Sequence, residues 1–145
     1  MPEKNLKIQI ADSDEAIRRS FAVMSELRPD YTPETYLRQV RKQMDGHHYR
    51  IATLADQAGV QCVAGFRITE SLAWKKFMYV DDLVTANSGR SSGYGKHMLD
   101  WLIDLARENG CGELHLDSGV QRHSAHRFYL RERMDITCYH FMRVL

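Results

Sequence analysis

Between residues 48 and 85 the apolar positions recur with a period of two, in three strand-length runs: HYRIATLA (48–55), VQCVAGFRIT (60–69) and KFMYVDDLVT (76–85). Asp56–Gly59 supplies the turn between the first two runs. Chain on either side has helical spacing, so this block must be a sheet that needs helices to cover it. Upstream, LKIQIA (6–11) reads as a short strand. Asp12 and Glu15 have capping-box spacing ahead of a helix carrying Ile17, Phe21, Met24 and Leu27. That helix should stop at Arg28-Pro29, because a residue before proline avoids the helical region. Thr32-Pro33 is an N-cap and first helical position for a second helix, with Tyr36, Leu37, Val40 and Met44 on its stripe and Gly46 at its end. Downstream, residues 91–109 give the strongest helix, with Tyr94, Met98, Trp101, Leu102 and Leu105 on one face and Gly110 closing it. Residues 112–117 read as a strand, 122–132 as a helix with Ala125, Phe128 and Tyr129 turned inward, and 136–144 as a final strand. The order β α α β β β α β α β predicts a mixed α/β (α+β) fold: a central, mixed, mostly antiparallel twisted sheet flanked by about four helices.

The 145 residues fit one domain, 1–145, with a core large enough to need no disulfide or metal staple. Twenty Lys+Arg against nineteen Asp+Glu leave a net charge of +1, which argues against a nucleic-acid partner. No apolar run approaches a membrane span and no signal peptide is visible, so neither membrane association nor export is expected. Cys62, Cys111 and Cys138 form no CxxC pair, and free thiols fit a cytoplasmic location.

The stretch that carries chemistry is Val80-Asp81-Asp82-Leu83-Val84-Thr85-Ala86-Asn87-Ser88-Gly89-Arg90-Ser91-Ser92-Gly93-Tyr94-Gly95-Lys96. A strand runs into a loop of small residues and then into a helix. Such a junction presents backbone N–H groups at the positive end of a helix dipole, where an anion such as a pyrophosphate is favoured. A Walker A loop is excluded, since Arg90 stands at the first glycine position and His97 at the hydroxyl position. A Rossmann fingerprint is excluded as well, because Met98 replaces its third glycine.

Arg90-Ser91-Ser92-Gly93-Tyr94-Gly95 instead matches an Arg/Gln-x-x-Gly-x-Gly/Ala loop, and here the chain resembles the GNAT-type N-acetyltransferases. Leu83-Val84-Thr85 ends a strand five residues earlier, as in that family, and Ala125-His126-Arg127-Phe128-Tyr129 matches the family's A-x-x-F-Y helix. Two positions depart from it: Arg122 stands where the family often has Asn, and Arg133-Met134 where it usually has Gly-Phe. Glycine there would allow a left-handed helix end. A single terminal strand also leaves the family's seventh strand missing or supplied by a partner, and a homodimer is among the assemblies left open.

The resemblance implies acetyl-CoA as acetyl-donor substrate. The backbone from Ser91 through Ser92, Gly93, Tyr94 and Gly95 to Lys96 would hold its pyrophosphate, with Arg90 and Lys96 adding charge. The backbones of Leu83 and Thr85, either side of Val84, would pair with the pantetheine amides. Tyr129 would protonate the leaving thiolate. An alkylammonium must lose a proton before attack, and Asp82, just before the family's Leu position, would take it. Successive strand residues point to opposite faces, so only one of Asp81 and Asp82 should serve. Arg28-Pro29-Asp30-Tyr31 lies where the family places its acceptor site, which makes Arg28 and Tyr31 acceptor-binding candidates.

The expected activity is transfer of an acetyl group from acetyl-CoA to a primary amine of a small-molecule or peptide acceptor, by direct attack in a ternary complex. The alternatives are a non-catalytic acyl-CoA-binding sensor, or an acetyltransferase acting on protein N-termini or lysines. His123, His126 and His140 lack further ligands at zinc-site spacing, so no metal is expected.

Overall fold

The computed structural model describes residues 5–90 and 92–145. Its contacts divide the chain into two compact units, Met1–His115 and Leu116–Leu145. The first unit starts with β1 (Lys7–Ile10), α1 (Asp14–Leu27) and α2 (Pro33–Gly46), followed by β2 (Tyr49–Asp56), β3 (Gly59–Ser71) and β4 (Lys75–Thr85). A 3-10 turn at Asn87–Gly89 leads to α3 (Tyr94–Glu108) and β5 (Glu113–Leu116), and the boundary between the units falls in the sequence after His115. The five strands form one sheet in the order β1-β2-β3-β4-β5. The first three pairings, through β4, are antiparallel.

Local chemistry sets the helix ends. Ser13 caps α1 by accepting from the Ala16 N–H at 3.1 Å, one residue later than the predicted Asp12–Glu15 box. The spacing is the same three residues, but Ser13 is the last extended residue before the helix, and its hydroxyl therefore takes the N3 amide. Thr32 and Thr35 form the capping box of α2 around Pro33. Helix α3 ends in a Schellman motif: Gly110, at φ 77°, donates to Arg107 O at 3.0 Å, and Cys111 donates to Ala106 O at 2.9 Å.

The core has two layers divided by the sheet. Ile17, Val23 and Met24 of α1, with Tyr36 and Val40 of α2, cluster with Tyr49, Ile51, Val63 and Val84. The alternate residues Ala52, Leu54, Cys62, Ala64 and Phe66 point to the other face and are fully buried. Helix α3 packs on β3 and β4 with Met98, Leu99 and Leu102 completely buried. Each such side chain contributes about 1.5–3 kcal/mol of burial energy.

In the second unit, α4 (His123–Arg131) carries Ala125, Phe128 and Tyr129 half-buried. It also ends in a Schellman motif, with Arg133 donating to Leu130 O at 3.1 Å and Met134 to Tyr129 O at 3.0 Å. Arg133 sits at φ 64°, so a side-chain-bearing residue takes the left-handed position that the Gly-Phe pattern would give to glycine. The predicted strand at 136–144 does not form; residues 133–145 after the helix contain no regular element. Alternating apolar residues favour an extended backbone, but a strand also needs an edge to pair with, and no ladder reaches this segment among the described residues. Ile136, Tyr139, Phe141, Met142 and Val144 are exposed there.

Candidate active site

A cavity of about 200 Å³ lies in the first unit, lined by Met24, Arg28, Tyr31, Tyr36, Gln39, Val40, Gln43, Tyr49, Asp81 and Asp82. It opens against an irregularity in β4. Gly65 pairs with Asp82 and Phe66 with Val80, so Asp81 is an extra residue, a β-bulge. The bulge overturns the expectation that Asp81 and Asp82 point to opposite faces. Both line the same cavity, because the inserted residue breaks the alternation at that point.

Asp82 sits at the centre. Its Oδ1 accepts from Arg28 Nε at 2.8 Å and its Oδ2 accepts from Tyr49 Oη at 2.6 Å. Its side chain is 12% exposed, against 49% for that of Arg28. Arg28, the C-terminal cap of α1, also donates from Nη2 to the Asp81 carbonyl at 3.1 Å. Asp81 is gripped from the side by Arg67, whose Nε and Nη2 reach its two oxygens at 2.8 and 3.1 Å. The Arg67 guanidinium lies 5.1 Å from the Tyr79 ring centroid.

The glycine at 65 makes this arrangement fit. A Cβ there would overlap Tyr49 Oη and lie 2.5 Å from Tyr49 Cζ and 2.6 Å from Asp82 Oδ2. Burial, reinforced by the Asp82 charge and hydrogen bond, holds the Tyr49 hydroxyl well above its ordinary pKa. Burial also pushes the Tyr36 hydroxyl up to about 12, against the lowering effect of its Ser20 hydrogen bond at 2.7 Å and with help from the Asp82 charge. Both phenols are therefore hydrogen-bond donors at neutral pH, not bases.

Beyond β4 the chain forms the loop that precedes α3. Ala86 donates to Gln61 O at 2.8 Å and so faces β3. Backbone direction alternates along an antiparallel strand, which turns the N–H and C=O of Leu83 and Thr85 to the opposite edge. Val84 is buried on the face of α1 and α2. Asn87 donates its N–H to Glu26 Oε1 of α1 at 3.0 Å, and Gly89 fits closely between Gln61 and Tyr94. Gly93 caps α3 in the left-handed conformation at φ 78°, and a side chain added there would meet nothing within 4 Å. Among the described residues the first intrahelical bond runs from the His97 N–H to Gly93 O at 3.1 Å, which places Tyr94, Gly95 and Lys96 in the first turn of the helix.

Two expectations for this loop change. Ser92 spends its N–H on Gly89 O at 3.2 Å, because the loop tightens into a turn there. The Tyr94 side chain is buried and donates to Asp56 Oδ2 at 2.8 Å, which ties α3 to the β2–β3 turn and leaves only its backbone facing the loop. Arg90 is exposed, Lys96 pairs with Asp100 at 3.3 Å, and Ser91 lies outside the described residues.

Arg28, Tyr31 and Asp82 share the cavity. Tyr129 belongs to the second unit, half-buried on α4 with its ring 5.4 Å from that of Phe128. Sequence reasoning missed Tyr49, Gly65, Arg67, Tyr36, Gln39 and Gln43. Only Gly65 carried a local signal, as an isolated glycine inside a strand run. Burial drives the Cys62 thiol up to about 11 and raises that of Cys111, which disfavours either as a thiolate nucleophile. No group of three or more His, Cys, Asp or Glu residues among the described residues could hold a metal ion, and no helix there is long and apolar enough to cross a membrane.

Comparison with known proteins adds a family. The profile of the Acetyltransferase (GNAT) family matches residues 15–134. The uncharacterized N-acetyltransferase YhdJ of Bacillus subtilis is 37% identical over 117 residues, covering 81% of this chain and 82% of that protein. An aminoalkylphosphonate N-acetyltransferase of Salmonella typhimurium is 32% identical over 66 residues, 46% of this chain and 43% of that protein. Among solved structures, a transcriptional regulator from Bacillus halodurans superposes with a TM-score of 0.85 at 17% identity, covering 97% of this chain and all 100% of that one. The aminoglycoside N-acetyltransferase AAC(6')-Iy, crystallised with CoA, gives 0.84 at 12% identity, with 100% and 98% covered. These two superpositions establish the likeness of fold. From the family profile and the Bacillus subtilis relative, the chain belongs to the GNAT family of N-acetyltransferases and is an acyltransferase.

Proposed function

We propose that the chain moves an acetyl group from acetyl-CoA to the primary amine of a small acceptor held in the cavity over Asp82, by direct attack in a ternary complex. The observation that carries this reading is that one strand borders the cavity and also leads into the loop before α3. Asp81 and Asp82 of β4 line the cavity, and the same strand runs on through Thr85 into the loop that starts α3. At about 200 Å³ the cavity falls below the roughly 300–1,000 Å³ of ordinary ligand pockets, which favours a compact acceptor over a protein segment. Two similar proteins are named for small amine acceptors, an aminoalkylphosphonate and an aminoglycoside.

The residues present fit a diphosphate. Gly93 leaves space at the start of α3, and the positive end of the helix dipole there favours an anion. The outward edge of Leu83 and Thr85 offers a strand-like partner for the amides of the pantetheine arm, and Arg90 adds charge. The donor substrate supplies a thioester carbonyl. The incoming ammonium first gives one proton to Asp82; the neutral amine nitrogen then forms a bond to that carbon as the carbon–sulfur bond breaks, and the second proton it sheds makes good the one taken up by the departing thiolate. Each Asp82 oxygen has a second lone pair beyond its bond to Arg28 or Tyr49, so the carboxylate can accept an N–H from the incoming ammonium. Tyr129 is the proposed proton donor to the departing thiolate, on family likeness.

Titration calorimetry with acetyl-CoA tests the loop. Gly93→Glu puts a negatively charged side chain at a left-handed position where the diphosphate would sit, and binding should weaken more than a hundredfold while circular dichroism stays unchanged. Equal affinity in both proteins refutes the assignment. Thiol release across a panel of amines separates an enzyme from a sensor that binds without turnover.

A further inference from the structure

The charges around the cavity are balanced. Asp81 is neutralised by the two-pronged grip of Arg67 and Asp82 by Arg28, so two carboxylates face two guanidinium groups. Such a cavity gains little from a polycation. It does present both signs close together, and the way Arg28 is held determines what the positive part can do. A guanidinium has five N–H donors in a rigid plane. Arg28 uses one edge of that plane, Nε to Asp82 Oδ1 at 2.8 Å and Nη2 to the Asp81 carbonyl at 3.1 Å. The end of the fork remains: both hydrogens of Nη1 and the second hydrogen of Nη2. A half-exposed arginine fastened at two points holds this end in a fixed orientation, the geometry that takes two oxygens of one anion. Beside it, Gln39 Nε2 donates to Gln43 Oε1 at 3.0 Å, which leaves the Gln43 amide N–H groups for a further oxygen.

Resting on the acetyltransferase reading above, we infer that the acceptor is a short zwitterion: a primary amine separated by a few bonds from an anionic oxygen group, a carboxylate or a phosphate. Its ammonium meets Asp82, and its anion meets the free end of the Arg28 fork. The two contacts are separated by the width of a single guanidinium group, which keeps the spacer short. Arg28 is thus a specificity residue for the acceptor, and the anion's own oxygens decide between carboxylate and phosphate.

The test compares kcat/KM for β-alanine and phosphoethanolamine with that for n-propylamine, ethanolamine and 1,3-diaminopropane. At least one anionic acceptor should exceed the neutral and dicationic amines by about 10–100-fold, the range of a charge-assisted bidentate contact. The anionic acceptor that leads identifies the group. Arg28→Gln should bring that ratio to within about threefold of unity, mainly through the acceptor KM, and Arg28→Lys should retain part of it because the charge stays while the fork is lost. Ligand-observed NMR with the free protein provides a readout independent of turnover: the leading anionic acceptor should bind wild type and lose binding in Arg28→Gln. Equal rates across the panel, or a preference for the diamine, with acetyl-CoA still bound by calorimetry, overturns the inference and leaves the acetyltransferase reading intact. Failure to bind acetyl-CoA with Arg28-dependent NMR binding preserved overturns the donor assignment instead. Should Arg28→Gln fail to fold, the wild-type panel and Arg28→Lys decide the question.

Discussion

The start of α3 follows one continuous stretch of sequence, Thr85 to Lys96, whereas the cavity over Asp82 takes side chains from α1, α2, β2 and β4 and from the loop between the two helices. The first works through backbone groups and asks of its residues only that they be small and able to turn. The second works through side chains fixed to one another: Tyr49 to Asp82, Asp82 to Arg28, Asp81 to Arg67. Substitution should therefore reveal two kinds of dependence, with the cavity failing as a network and the loop failing only where its path is blocked.

The most damaging change to the cavity should be Gly65→Ala. The added methyl would overlap the Tyr49 hydroxyl, and the buried ring has no free end to swing away. Overpacking of this kind costs about 1–3 kcal/mol. Thermal denaturation should show that loss, and acceptor kcat/KM should fall by two orders of magnitude or more while acetyl-CoA affinity holds. If acetyl-CoA binding fell equally, the two halves would not be separable.

Tyr49→Phe is milder. It removes one hydrogen bond to a charged group, about 1.5–3 kcal/mol, and should lower acceptor kcat/KM by about tenfold or somewhat more. The same variant sharpens the comparison at high pH. Tyr36 and Tyr49 bind their protons more tightly folded than unfolded. The stability this gives is complete below the unfolded tyrosine pKa, near 10, and is lost as pH rises toward the folded values, by up to about 1.4 kcal/mol per pH unit for each group. Denaturant midpoints above pH 10 should fall steeply in wild type and less steeply in Tyr49→Phe.

The smallest effect lies away from both halves. Helices α3 and α4 end in the same hydrogen-bond pattern, but one has Gly110 at the left-handed position and the other Arg133. Arg133→Gly should raise stability by about 1 kcal/mol, the cost of a left-handed non-glycine residue, provided the bonds of Arg133 and Met134 are kept. A lower midpoint would show that the arginine side chain contributes more than its backbone costs.

The same contrast explains what the sequence made legible. The loop, its strand and its helix were readable because Leu83 through Gly95 are neighbours, and their chemistry depends on spacing along the chain. The helices and the first five strands followed from apolar period and caps in the same way. The Asp82 network was not readable, since Tyr49 and Asp82 are 33 positions apart and meet only when the sheet pairs. The bulge was hidden because alternation in KFMYVDDLVT looks regular until β3 supplies a register. The last strand was over-read for the converse reason: ITCYHFMRV has the pattern of a strand but no edge to join among the described residues.

The extra residue in β4 also gives that strand's length a meaning of its own. Deleting Asp81 would take away the bulge along with one carboxylate, because Val80 already pairs with Phe66 and Asp82 with Gly65. Asp82 and Val84 would keep their partners and their faces, and Arg67 would lose the carboxylate it holds. One surplus residue thus adds a second carboxylate beside the cavity without moving any of its neighbours through the sheet.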